Sequence, residues 1–413
     1  MQQGKRKMTV NHTAVFLLTG ILIAVMVIGG SVVMARQPKE QPDSPAITQE
    51  ELLARRAEQI EEIRNRLTLE EKVAQLFFVA PEALTGEKTV TQMSPAMQAA
   101  LDEYPVGGIV YFAKNLTEPT QTRAMLEGVQ TYVSQTQELP IFLGVDEEGG
   151  RVLRIGSNSA FGVERVKAPG VLAKEQDTEL IYNAAGTIGA YLEELGFNVD
   201  FAPDADVITN ARNRVIGDRS FGTDPNLVAD MAWAYSEGLH DQRILACYKH
   251  FPGHGGTVED SHSDYAYSYR TLDELREAEF IPFQTGCENG VDFIMVAHIS
   301  VPNVTGGDIP ASLSEVLVSE VLREEMGYQG IIITDALNMG AISEHYDSAQ
   351  AAVLALQAGC DMLLMPKDFL AAYNAVLEAV ENGTLDMADI DASVSRIINA
   401  KLELMQLWEY EKN

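Results

Sequence analysis

Ile244-Leu245-Ala246-Cys247-Tyr248-Lys249-His250-Phe251-Pro252-Gly253-His254-Gly255 passes from an apolar run into a polar one with no spacer between them. The run 244–248 reads as a strand buried on both faces. Proline and glycine then forbid a helix, so the chain must continue as a loop whose backbone takes positive φ and lies close to something. That loop carries Lys249, His250 and His254, and further on Asp260 and His262. Asp260 and His262 are two apart, and a turn can fold the carboxylate back onto the imidazole, favouring its charged form and fixing its tautomer. Such a pair makes a proton donor near neutral pH. A single histidine would be read as a turn cap or a satisfied core residue; the constellation points to a ligand. His250, His254 and His262 also offer nitrogens to zinc, but their spacings match none of the usual patterns, so no metal is expected.

Outward from this stretch, similar apolar runs recur at 74–79, 107–112, 140–145, 198–202, 292–297, 330–334 and 361–365. Amphipathic stretches at 120–135, 177–195, 226–242, 272–289, 313–326, 348–358 and 369–382 separate them, and 391–407 closes the chain. Buried runs alternating with helices call for a parallel sheet, either an open doubly wound sheet or a (β/α)8 TIM barrel. The polar residues at the carboxyl ends decide between them: Asp146, then Asp204 and Asp206, Lys249 and His250, His298, and Asp335. A barrel gathers these ends in one mouth, whereas an open sheet would spread them along an edge. The expectation is an α/β chain with a TIM barrel over residues 50–413.

The amino terminus is of a different kind. Residues 14–35 are uncharged and apolar over about 22 positions, enough for one transmembrane helix, and Lys5-Arg6-Lys7 precedes them. Signal-peptide apolar regions are shorter, roughly 7–15 residues, although Val33-Met34-Ala35 supplies small residues for a cleavage site. The basic segment 1–13 is expected in the cytoplasm, 14–35 as a membrane helix or signal anchor, and everything after Arg36 outside. Residues 36–49, with Pro38, Pro42 and Pro45, read as an exposed linker. The barrel is thus expected to be extracytoplasmic and tethered to the membrane, or secreted if the segment is cleaved.

Among the 413 residues, 60 acidic and 30 basic side chains give a net charge of −30, which opposes nucleic-acid binding. Three cysteines, Cys247, Cys287 and Cys360, lie far apart in apolar or helical surroundings and do not describe a disulfide framework.

Lys249-His250-Phe251-Pro252-Gly253-His254-Gly255, four residues, then Asp260-Ser261-His262 resembles the signature of the β-N-acetylglucosaminidases of glycoside hydrolase family 3. The resemblance covers roughly residues 65–405. It implies the barrel fold and a retaining hydrolase that forms a covalent glycosyl-enzyme. Asp335, emerging from the β-branched run Ile331-Ile332-Ile333-Thr334, matches the family nucleophile; read alone, it serves equally as a helix cap. His262 matches the acid/base and Asp260 its dyad partner, on a loop the family is known to move. Asp146 in Gly144-Val145-Asp146-Glu147-Glu148-Gly149-Gly150-Arg151, Arg219 in Gly217-Asp218-Arg219-Ser220, Lys249 and His250 match sugar-binding positions. Where Glu147 stands the family more often has glutamine, and Arg151 is read as a salt-bridging residue.

His298 either lines the same pocket or packs near the barrel rim. His254 is expected to organise the loop, and Phe112-Ala113-Lys114-Asn115 to act as a bracket after the second strand. The connection 81–104 is long for a first βα loop and is expected to shape the substrate cleft. Many relatives carry a further carboxyl-terminal domain, and here the acid/base is expected within the barrel. The resulting expectation is a monomeric β-N-acetylhexosaminidase, free of cofactors, that takes terminal N-acetylglucosamine from cell-wall fragments or chitooligosaccharides. A β-glucosidase of the same fold and a non-catalytic sugar sensor are its rivals.

Overall fold

The structure, a computed structural model, describes residues 48–257 and 266–409. The segments 1–13 and 14–35, most of the linker, and Asp260 and His262 lie outside the described residues. Among the described residues, no helix is long and apolar enough to cross a membrane.

Each of the eight apolar runs holds a strand: β1 Phe77–Val79, β2 Gly108–Val110, β3 Phe142–Val145, β4 Val199–Asp200, β5 Leu245–Phe251, β6 Phe293–Val296, β7 Ile331–Thr334 and β8 Leu363–Leu364. They pair in parallel in the order β8-β1-β2-β3-β4-β5-β6-β7, with registers such as Phe77 opposite Leu363 and Ile109 opposite Leu143. The last seam, β7 to β8, is held by a single parallel bridge, Ile333 to Met362. There the N–H of Thr334 donates to the carbonyl of Met362 at 3.1 Å, and the Thr334 hydroxyl accepts from the N–H of Leu364 at 3.0 Å. The result is a nearly closed eight-stranded parallel barrel.

The intervening helices start where the sequence supplies a cap. Asp177 accepts from the N–H groups of Glu179 and Leu180 ahead of Thr178–Leu195. Asp224 does the same for Pro225–His240, and Asp347 forms a capping box with Gln350 ahead of Ser348–Gln357. Each satisfies backbone donors that a helix end leaves open. One expected helix, 272–289, is two: Leu272–Glu277 and Phe280–Asn289. The break falls at Ala278 and Glu279, because the Glu279 carboxylate turns inward to accept from Thr209 Oγ1 at 2.7 Å and to pair with Arg270 at 2.8 Å. The expected helix 313–326 begins later, at Val316, and is wound with wider i→i+5 turns to Glu325.

Inside the barrel, the ring of Phe78 lies over β2 and β3 where they lack side chains. A Cβ on Gly108 would come within 2.6 Å of that ring, and one on Gly144 within 2.8 Å of it and 2.9 Å of Phe201. Gly144→Ala is therefore expected to lower unfolding free energy by about 1–3 kcal/mol through overpacking. Gly307→Ala, where nothing lies within 4 Å, is the control expected to stay near neutral. Urea titration of both variants checks this. At the opposite end, the last helix, Met387–Glu409, inserts Lys401, whose ammonium donates to Gln75 Oε1 at 2.7 Å and lies 5.2 Å from the centroid of Phe142. Burial pushes that amine down to about 7.

Candidate active site

The carboxyl ends of the strands open into one cavity of about 340 Å³. Asp146 follows β3, Lys249 and His250 belong to β5, Asp335 follows β7, and Arg219 enters from the loop after β4; all five line this cavity. Val110, Met295 and Leu364 from the strands and Phe201 form its apolar floor.

The charges are organised around Glu148, whose side chain is 1% exposed. Arg219 grips it with two bonds, Nε to Oε2 at 2.8 Å and Nη2 to Oε1 at 2.7 Å. Lys249 Nζ sits 2.6 Å from Oε1 and 3.0 Å from Asp146 Oδ1. Burial alone would raise the Glu148 carboxyl, but Arg219 and Lys249 outweigh it and hold the group well below its ordinary range. The same contacts overcome burial to raise the Lys249 ammonium above its ordinary value. Both cations stay charged and fixed in direction before any ligand arrives.

A second carboxylate pair lies behind His250. Asp206 Oδ2 is 2.8 Å from His250 Nδ1, and Asp206 Oδ1 accepts the backbone N–H of His254 at 2.5 Å. Asp204 is 3.4 Å from Arg219 Nε. Burial, and next to it the neighbouring Asp206, pushes the Asp204 carboxyl well above its ordinary value. For Asp206, burial is outweighed by His250 and the net direction is down. Ligand atoms of Asp204, Asp206 and His250 lie within 4.8 Å of one another, a spacing that could hold a cation; here those atoms serve the hydrogen bond to His250 and the ion pair to Arg219.

The loop after β5 has the backbone its sequence implies. Gly253 has φ +120°, and a Cβ on Gly255 would stand 2.0 Å from the carbonyl oxygen of Val207. The loop after β4 clasps it: Asn213 Nδ2 donates to the carbonyl of His254 at 2.8 Å, and the N–H of Asn210 donates to that of Gly255 at 3.3 Å. His254 lies within this clasp, its Nδ1 2.8 Å from Thr257 Oγ1, which is the organising role expected of it.

His298 does not line the cavity. It is fully buried, with Nδ1 2.8 Å from Ser312 Oγ and Nε2 3.1 Å from the carbonyl oxygen of Ala336. Ser312 and the Ala336 backbone thus hold its ring on both nitrogens. The connection 81–104 does not line the cavity either. Glu82 and Val90 instead receive the amide of Asn115 at 2.6 and 2.8 Å, and Asn115 Oδ1 accepts the N–H of Phe112 at 3.0 Å. This long connection braces the bracket after β2, whose Phe112 reaches the cavity. Arg151 pairs with Asp218 at 3.5 Å and donates to the carbonyls of Arg214, Val215 and Ile216.

Sequence reasoning missed Glu148, Arg154 and the function of Asp206. Arg154 lines the cavity, reaches Asp146 at 3.3 Å and lies 6.0 Å from the centroid of Phe112. Its backbone is set by Glu147, which is fully buried and accepts from the N–H groups of Arg154, Ile155 and Gly156 at 2.5, 3.0 and 2.7 Å and from Tyr191 Oη at 2.8 Å. The signal for Glu148 was available: two cations at the mouth of one barrel need a shared buried counter-charge.

The glycosyl hydrolase family 3 N terminal domain matches residues 68–400. Beta-hexosaminidase A of Pseudoalteromonas piscicida is 31% identical over 338 residues, covering 77% of this chain and 56% of that protein. Beta-hexosaminidase LpqI of Mycobacterium tuberculosis is 35% identical over 312 residues, covering 74% of this chain and 78% of its own length. The structure of a glycoside hydrolase family 3 beta-N-acetylglucosaminidase from Paenibacillus sp. superposes with a TM-score of 0.77 at 36% identity, over 82% of this chain and 63% of that one. The chain thus spans somewhat more than half the length of the first and third of these relatives. With a nearly closed parallel barrel, a cavity at its carboxyl-terminal mouth and a family match along most of its length, the chain belongs to glycosyl hydrolase family 3.

Proposed function

We propose that the chain is a retaining β-N-acetylhexosaminidase that removes terminal, non-reducing β-linked N-acetylglucosamine from peptidoglycan fragments or chitooligosaccharides. The observation that carries this is the convergence of Asp335 with Asp146, Arg219, Lys249 and His250 on one cavity, in a chain whose relatives are named beta-hexosaminidases. Asp335 attacks the anomeric carbon as the glycosidic bond breaks, and the His262 imidazolium, paired with Asp260, gives its proton to the departing oxygen. Water then takes the sugar from Asp335 and leaves its proton on His262. Lys249 and Arg219 enter already charged and oriented by Glu148, so little reorganisation is spent on holding the ring. No metal or organic cofactor has a part in these steps. For localisation the proposal rests on the sequence of residues 14–35: either they anchor the chain with the barrel outside the cytoplasm, or they are cleaved and the barrel is secreted.

The test uses a chromogenic β-N-acetylglucosaminide beside the matching β-glucoside. The wild type should cleave the first and largely ignore the second. His262→Ala should lower kcat by roughly 10²–10⁴-fold, the scale of general acid/base catalysis, and added azide should restore turnover with a β-glycosyl azide as product. A wild type that prefers the glucoside, or a His262→Ala enzyme of full activity, sinks the assignment.

A further inference from the structure

The imidazole of His250 is held at both ends by partners whose hydrogen-bonding capacity is unambiguous. Arg219 Nη2 lies 3.3 Å from Nε2, and a guanidinium has only donors, so Nε2 presents its lone pair. The ring proton therefore sits on Nδ1, where Asp206 Oδ2 accepts it at 2.8 Å. Of the two hydrogens on Arg219 Nη2, one is committed to Glu148 Oε1 at 2.7 Å, which leaves the other for the His250 side. Asp206 is fully buried and lines no part of the cavity. It acts through His250, and its second oxygen ties the same carboxylate to the backbone of His254.

We propose that Asp206 is a positioning residue that locks His250 in the Nδ1–H tautomer, so that His250 and Arg219 read a single sugar hydroxyl between them. The hydroxyl takes over the contact between the two side chains, donating its hydrogen to the Nε2 lone pair and accepting the Arg219 Nη2 hydrogen that Nε2 receives in the free site. The inference rests on the cavity being a sugar site, and it makes the neutral imidazole an acceptor of the ligand's proton. The recognised group must then both donate and accept: a hydroxyl fits, whereas a fluorine at the same carbon loses the bond to His250.

The test uses the full chain labelled with 15N-histidine. There are seven histidines, and the signals lost in His250→Gln assign its ring. The wild type is expected to show His250 protonated on Nδ1 alone at neutral pH. In Asp206→Asn, whose amide can donate to Nδ1, the proton is expected to move to Nε2. The KM for the N-acetylglucosaminide should then rise roughly tenfold, the scale of leaving one buried hydrogen-bonding group unsatisfied, with a smaller change in kcat. A wild-type ring protonated on Nε2 overturns the proposal whether or not the variant folds. So does an Asp206→Asn enzyme with unchanged tautomer and KM. The tautomer is read without turnover, so wild-type cleavage of the N-acetylglucosaminide separates failure of this proposal from failure of the hexosaminidase reading.

Discussion

Asp335→Asn is expected to lower kcat for the N-acetylglucosaminide by roughly 10⁶-fold, the scale seen when a nucleophile is removed from an otherwise intact site. The substitution leaves the scaffold in place. The backbone N–H of Asp335 donates to the carbonyl of Val296 at 2.8 Å, and the side-chain oxygen that accepts the N–H of Ala336 at 2.7 Å is retained by asparagine. What disappears is the anionic oxygen that attacks carbon. The melting temperature should therefore move little while turnover collapses, and a fluorinated glycosyl inhibitor should label the wild type on Asp335 and leave the variant unmodified in mass spectrometry. Activity within tenfold of wild type would remove Asp335 from the mechanism.

Glu148→Gln should produce the second large effect, and in both stability and binding. Without the carboxylate, Lys249 and Arg219 face each other in a buried space with their shared counter-charge gone, and breaking a buried ionic cluster in this way costs about 3–5 kcal/mol. A glutamine oxygen at the Oε1 position keeps two of the three bonds that Glu148 receives but without the charge, and its NH2 group opposes the third, from Arg219 Nε. The expected outcome is a lower urea midpoint together with a lower kcat/KM. The pH dependence has a definite sign. Because the folded Glu148 carboxyl lies below its ordinary value of 4.5, its contribution is complete above that value and is lost as the pH falls beneath it. The wild type should lose stability more steeply than Glu148→Gln on acidification below about pH 4.5. Parallel titrations would refute the assignment.

The barrel was legible because its signal is local and repeated. Runs such as Ile331 to Thr334 are β-branched and bounded by turns, and five of the eight lead into a polar residue. Asp146, Lys249, His250 and Asp335 were legible for the same reason, as side chains at strand ends, whereas Arg219 came from the family resemblance. The rest depends on partners distant in sequence. Glu148 meets Arg219 and Lys249 across loops that only the closed ring brings together, so beside the more obvious Asp146 it looked like one more acidic residue. The break in the helix at Glu279 is fixed by Thr209, far upstream, and the helical periodicity of 272–289 carries no trace of that bond. His298 shows the limit of the strand-end rule: it follows β6 at the right place, yet Ser312 and the Ala336 carbonyl claim its ring.

The clasp between the loops after β4 and β5 bears on how such enzymes can be recombined. Gly255 fits only because Val207 offers bare backbone, and the Asn210 N–H and the Asn213 amide donate to the carbonyls of Gly255 and His254. The two loops are therefore one heritable module in mechanical terms. A chimera that imports residues 252–257 of a homologue without residues 206–213 would set a foreign backbone in a native socket, whereas transplanting both together should carry the donor's loop geometry intact.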